Sequence, residues 1–308
     1  MPIRPATLDD SSKIVHLFIA NIEKWQRMTA DGQVEDLPYA DLRIYERWLH
    51  GGAWMSIETG AVWLSHLLSG AGLAFVFDNG DTITGYTEAY ISQEAEPYGY
   101  HLHIGKLITT DTSTQDALVK HLLGQAGGIG RLTVASTAYD QEKIAYYERF
   151  NLKELIQIQR INISAQGGHV GFYKVSEYEN ASAEQILDWQ MPIGRVESAR
   201  QHWEDLWAQL WHGVPEITAR QIYRLRFNVG GQDAFVVIQE QLYNPRGAEV
   251  FCWTPKALSS HLIGAIRDWS YKAGYRSLTM AVNEKIATTL SSDLETTAYR
   301  TLILGCNI

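Results

Sequence analysis

Four side chains in the first half of the chain have the chemistry to move a proton: Tyr147, His101, His103 and Glu88. Tyr147 stands in the run Glu142 to Phe150, where Ile144, Tyr147 and Phe150 recur at three-residue spacing and share one helical face. Asp140 precedes that helix, and Asn151, a residue type that tolerates the left-handed backbone with which many helices end, follows it. Such an end aims Tyr147 at a neighbouring sheet rather than at water. Tyr100-His101-Leu102-His103-Ile104 reads as a strand, so both histidines point to the same face. With an ordinary pKa of about 6.5, either can take a proton from an ammonium through water. A pair of strand histidines without a role accounts for the same residues equally well. Glu88, on the preceding strand, is the other candidate base, whereas Glu94 and Glu96 read as loop residues. Zinc is a poorer reading of His-x-His, because spacing supplies no third ligand, and no metal is expected. Cys252 and Cys306 form no spacing motif and read as buried free thiols.

The elements that must position these groups follow from local pattern. Ile3 to Thr7 reads as a strand, and Asp9 or Asp10 caps a helix with Ile14, Leu17, Phe18 and Ile22 on one face. Trp25 to Leu37 reads as a polar loop, and helices are expected over Ala40 to Leu49 and Ile57 to Leu68, the latter closed by Gly70. Leu73 to Phe77, a turn at Asn79-Gly80-Asp81 and Ile83 to Ile91 form a hairpin. Tyr98 to Thr110 is a further strand, followed by a helix from Thr114 to Gln125 with Ser113 as its N-cap and Asp116 closing a capping box. A strand Leu132 to Ser136, the Tyr147 helix and a strand Leu155 to Ile163 complete a mixed α/β unit. Ala165 to His169 has linker composition.

Beyond the linker the pattern repeats. Gly171 to Val175 reads as a strand with a helix after Asn180, and Val196, Ala199, Trp203, Leu206, Trp207 and Leu210 lie along one helical stripe. Strands Phe235 to Gln239 and Val250 to Trp253, a helix Lys256 to Lys272 and a strand Leu278 to Val282 retrace the first half. Glu142-Lys143-Ile144-Ala145-Tyr146-Tyr147 is echoed by Glu284-Lys285-Ile286-Ala287-Thr288-Thr289, which places Thr289 where Tyr147 stands. A repeat at this spacing indicates duplication of a whole domain. The expected division is 1–165 and 166–308.

The length of 308 residues accommodates two such domains. The net charge of −9 is uneven, with 13 basic against 20 acidic residues up to Ala165 and 13 against 15 beyond it. That balance argues against a nucleic-acid partner, which needs a basic surface, and suits a cationic acceptor as well as a plain acidic surface. No apolar run reaches the roughly 20 residues of a membrane span, and MPIRPATLDD lacks the pattern of a signal peptide. A cytoplasmic protein, monomeric or weakly dimeric, is expected.

Ala145-Tyr146-Tyr147-Glu148-Arg149-Phe150-Asn151-Leu152 resembles the A-x-F-Y-E-K-x-G-F segment of the GNAT superfamily of N-acetyltransferases, with Asn151 at the glycine and Leu152 at the phenylalanine. The opening Ile3-Arg4-Pro5-Ala6-Thr7 and the order of elements resemble the same family. The resemblance implies two tandem GNAT-like domains, each with a mixed, mostly antiparallel sheet flanked by helices, the second lacking the acid. It implies acetyl transfer from acetyl-CoA to a small amine, with Tyr147 protonating the departing thiolate and a histidine or carboxylate near His101 and His103 as base. Backbone N–H groups near Ile108 would polarise the thioester carbonyl. The family's pyrophosphate motif matches through Thr114, Ala117 and Val119, or with a shift through Gln115, Leu118 and Lys120, so both of its glycines are missing, and Ile108, Thr109, Thr110, Thr112, Ser113, Thr114 and Gln115 are the expected cofactor-binding residues. A non-catalytic protein that binds acyl-CoA or another metabolite is the alternative that this departure favours.

Overall fold

The computed structural model describes residues 2–29, 31–168, 172–218, 220–290 and 294–308; the expected linker residue His169 and the strand start at Gly171 lie outside them. The chain forms two compact units that interleave along the sequence. The first comprises Met1–Tyr90, Ile104–Gln125 and Leu210–Ala219, and the second Ile91–His103, Ala126–Gln209 and Arg220–Ile308.

The first half runs β1 (Ile3–Pro5), α1 (Ser11–Ala20), β2 (Gln26–Met28), β3 (Val34–Asp36), α2 (Ile44–Trp48), α3 (Ile57–His66), β4 (Leu73–Asp78), β5 (Ile83–Gln93), β6 (Tyr100–Thr109), α4 (Thr112–Ala126), β7 (Arg131–Thr137), α5 (Gln141–Glu148) and β8 (Lys153–Ser164). The second half runs β9 (Tyr173–Glu177), β10 (Gln190–Ile193), α6 (Ala199–Trp207), β11 (Ile222–Val229), β12 (Gln232–Gln241), β13 (Asn244–Thr254), α7 (Ser260–Lys272), β14 (Ser277–Asn283), α8 (Glu284–Thr289) and β15 (Glu295–Asn307). From its first long strands onward the second series repeats the first: three antiparallel strands, a helix, a strand, a short helix and a final strand.

In the first unit β4 pairs antiparallel with β1 and β5, and β6 follows β5. Ile14, Trp54, Trp63, Leu64 and Tyr86 make its core, with Phe18 stacked on Trp54 at 5.5 Å between ring centroids. The expected loop Trp25 to Leu37 instead contains the hairpin β2–β3, fixed by pairing of Gln26 with Asp36 and of Met28 with Val34.

In the second unit the strand order is β7-β15-β8-β14-β13-β12-β11-β9. The last strands of the two halves are exchanged. β15 lies antiparallel between β7 and β8, with Thr301 opposite Thr137, and β8 carries Ile163 opposite Leu278 of β14. β13 and β14 run parallel over Gly247 to Glu249 and Ser277 to Thr279. Beyond that point β10 joins β13, with Ile193 opposite Cys252, and Gly194 N–H donates to the Ala281 carbonyl at 2.8 Å. Trp203, Trp207, Trp253 and Phe235 form a buried aromatic cluster under α6, which accounts for its tryptophans as core. The helix expected after Asn180 is a single 3-10 turn, Ala183–Ile186, and α7 begins at Ser260 rather than Lys256 because Ser259 caps it, accepting from Leu262 N–H.

Candidate active site

Tyr147 is placed as its spacing predicts. Asp140 caps α5 by accepting from Lys143 N–H at 3.0 Å, and Asn151 closes the turn with φ 64°, so Tyr147 faces inward with 2% of its surface exposed. Burial, reinforced by the charge of Glu197, pushes the Tyr147 phenol well above its ordinary pKa. The hydroxyl therefore keeps its proton near neutral pH and has it to give.

His103 shares that neighbourhood. It is fully buried, with Nδ1 2.9 Å from the Thr133 hydroxyl and Nε2 2.8 Å from Glu197 Oε2. A carboxylate accepts only, so Nε2 carries the hydrogen, and in the neutral ring Nδ1 accepts from Thr133. The Glu197 side chain is 29% exposed. Glu197 is thus hydrogen-bonded to His103, and its charge is felt by the Tyr147 phenol.

Beside this triad lies a fully buried ion pair. Glu94, in the loop after β5 as expected, is 6% exposed and bonded to Arg195 Nη1, whose guanidinium carbon sits 3.4 Å from the centroid of the Tyr98 ring. Burial opposes the charge on Glu94, but Arg195 and His101 outweigh it and hold the carboxyl at about 2. Arg195 is carried above its ordinary value by Glu94, against its burial. His101 donates Nδ1–H to the Gly99 carbonyl at 3.1 Å, with Nε2 3.5 Å from Glu94. Burial lowers its pKa to about 4, only partly offset by Glu94. His202 Nε2 accepts from the backbone N–H groups of Val196 at 3.2 Å and Glu197 at 3.1 Å, which requires a neutral ring, and burial lowers its pKa to about 4. Glu94, Arg195, Glu197 and His202 escaped the sequence reading. The segment Ile193 to Ser198 gives no local sign that it will meet a loop residue about a hundred positions earlier, as Arg195 does Glu94.

The other expected site residues belong to the first unit. Glu88 is 1% exposed and accepts from Trp63 Nε1 at 2.9 Å and Tyr86 OH at 3.4 Å; its pKa is raised by burial. Ile108 packs half-buried against the core, and Thr110 N–H is taken by the Thr84 carbonyl at 2.9 Å. α4 starts at Thr112, so Ser113 is not its cap. Asp111 accepts from Ser113 Oγ at 2.6 Å, Thr114 Oγ1 at 2.7 Å and Thr114 N–H at 2.9 Å, while Gln115 N–H goes to the Asp111 carbonyl. Those bonds hold the Asp111 carboxyl well below the usual range. Thr114 itself is turned inward over Gly85, where an added Cβ would lie 2.6 Å from the Thr114 methyl. The donors that would face a pyrophosphate are thus engaged by a carboxylate of the same charge sign. This turn does not fit a CoA diphosphate as it stands. Among the described residues no group of three or more His, Cys, Asp and Glu is placed to hold a metal ion, and no helix is long and apolar enough to cross a membrane.

No family model matches the sequence, and no curated protein matches it. Among solved structures, a candidate acetyltransferase from Pyrococcus horikoshii is similar over 99% of this chain and 89% of its own, at TM-score 0.53 and 12% identity. A conserved protein of unknown function from Enterococcus faecalis, described as a probable N-acyltransferase, aligns over 98% of this chain and 71% of its own, at TM-score 0.60 and 11% identity. A GCN5-related N-acetyltransferase from Anabaena variabilis covers 82% of this chain and 66% of its own, at TM-score 0.58 and 9% identity. The fold is GNAT. At these identities the likeness is one of architecture, and the GNAT order of elements read from the sequence agrees with it. In the second GNAT copy Thr289, at the position of Tyr147 in the internal echo, donates its hydroxyl to the Ile286 carbonyl at 2.8 Å and lines a groove of about 1030 Å³ with Gln190, Leu258 and Asn283.

Proposed function

We propose that the protein is an acyltransferase that moves an acyl group, in the first instance acetyl, from a thioester to the amine of a small substrate. The observation that carries the reading is the buried Tyr147 phenol, kept protonated in the field of the Glu197 carboxylate that His103 grips. A protonated phenol and a carboxylate in one neighbourhood supply the acid and the base that amide formation from an ammonium requires. In this reading residues 1–165 form the catalytic copy and 166–308 a copy without an acid. Acetyl-CoA is the donor that the GNAT fold suggests, and the Asp111 carboxylate at the start of α4 would oppose its diphosphate. Acyl transfer to a panel of primary amines, followed as thiol release, tests the proposal. Tyr147→Phe should lower kcat by about 100- to 10,000-fold; turnover equal to the wild type across pH would remove Tyr147 from the role.

A second reading, metabolite binding without transfer, is favoured by one observation: Asp111 occupies the donors of Ser113 and Thr114. Thiol release above the uncatalysed rate with any amine would dispose of it.

A further inference from the structure

We propose that Glu197, on the segment joining β10 to α6 in the second half of the chain, is the base that receives the proton of the amine acceptor; this rests on the acyl-transfer reading. Accessibility comes first. His101 and His103 are fully buried, and Tyr147 and Glu88 are within 2% of it, whereas the Glu197 side chain is 29% exposed. A substrate ammonium therefore meets the carboxylate, and the imidazole of His103 stands behind it. His103 is then a positioning residue: its Nε2–H fixes one carboxylate oxygen at 2.8 Å, and Thr133 fixes the ring from the other side.

The backbone around Glu197 is held for this task. His202 takes the N–H groups of Val196 and Glu197. Ser198 caps α6 by accepting from Gln201 N–H at 3.1 Å, Ala199 N–H donates to Glu94 Oε1 at 3.2 Å, and Arg195 is locked to Glu94. A carboxylate on a turn with this many fixed neighbours stays within the narrow geometry that proton transfer needs.

The proton account closes as follows. The ammonium gives one proton to Glu197, and the freed nitrogen lone pair forms the C–N bond to the acyl carbon as the bond from that carbon to sulfur breaks. Sulfur takes the Tyr147 proton, and the second proton leaving the new amide nitrogen restores the phenol. The products are an amide, a thiol and one proton that Glu197 returns to water. The copy that lacks a tyrosine at Thr289 thus contributes the base to the copy that has one.

The test compares wild type, Glu197→Gln, Glu197→Asp and Tyr147→Phe with acetyl-CoA or S-acetylcysteamine as donor and benzylamine or methoxyamine as acceptor. Benzylamine is a cation near neutral pH and must lose a proton; methoxyamine is already neutral. Glu197→Gln should lose about 100- to 10,000-fold in kcat with benzylamine and less than about tenfold with methoxyamine, with Glu197→Asp in between. Activity on methoxyamine also shows that the variant is folded. Without donor, an NMR titration with benzylamine should give a Kd at least about tenfold weaker for Glu197→Gln, the loss of one charge-assisted contact. Equal losses with both amines, or wild-type rates and benzylamine affinity in Glu197→Gln while Tyr147→Phe is impaired, would overturn the role of Glu197 and leave acyl transfer standing. No transfer by the wild type with any pair would overturn both.

Discussion

Two buried histidines make stability fall on mild acidification. His101 and His202 both have pKa values lowered to about 4, in each case chiefly by burial, with Glu94 and Glu197 respectively opposing the shift. The hydrogen bonds agree: a proton on His202 Nε2 would point at two backbone N–H donors, and His101 Nδ1–H is already given to Gly99. Between the unfolded value of about 6.5 and the folded value, the unfolded chain binds more protons than the folded one, so stability rises with pH in this window. The contribution is complete above about pH 6.5 and is lost progressively down to about pH 4. At about pH 5 each histidine lies about 1.5 units below its unfolded pKa, which costs about 2 kcal/mol, or about 4 kcal/mol for the pair. Urea unfolding followed by tryptophan fluorescence at about pH 7.5 and about pH 5 measures this directly. His202→Gln, whose amide oxygen can accept the same two N–H groups, should remove about half of the pH dependence. Equal stability at the two pH values, or an unchanged slope in His202→Gln, would refute the reasoning.

Arg195→Met should destabilise the fold by about 3–5 kcal/mol, because it leaves the Glu94 charge buried without its partner; adding Glu94→Gln should recover a large part, as a double-mutant cycle in urea would show. Asp111→Asn removes the charge from the start of α4 and should strengthen CoA binding in a thermal-shift titration; identical titrations for the two proteins would mean that Asp111 is no obstacle. Gly194→Ala should cost about 1–3 kcal/mol in urea unfolding, since Gly194 has φ 88° and a Cβ would fall 2.5 Å from the Phe251 ring and 2.8 Å from the Val250 carbonyl.

Local signals carried the Tyr147 region well. Asp140, the three-residue recurrence and Asn151 name a cap, a buried face and a left-handed end, and all three are present. The strand histidines were legible for the same reason, since alternation is a local property. The start of α4 was not, because aspartate at 111 and serine at 113 are equally good caps by type, and only the backbone decides which one bonds Thr114 N–H. Strand β11 carries a clear alternation of Tyr223, Leu225, Phe227 and Val229 that the expected elements passed over. β10 has four residues and is defined by the strand it joins, so no window of sequence marks it. The same holds for Glu197, whose place depends on a partner 94 positions away.

The exchange of last strands sets the order in which the chain can mature. Arg131 and Asn307 are hydrogen-bonded through their side chains at 2.9 Å across 176 positions, and β7 has β15 as its antiparallel neighbour. On a ribosome the strand that carries Thr133, the residue that steadies His103, waits with one edge unpaired until the whole second copy has been made. Contacts of such separation are slow to form, and an open edge is a template for pairing with other chains in the meantime. A cut near Ala165 would therefore separate β7 and β8 from β14 and β15, the strands that pair with them.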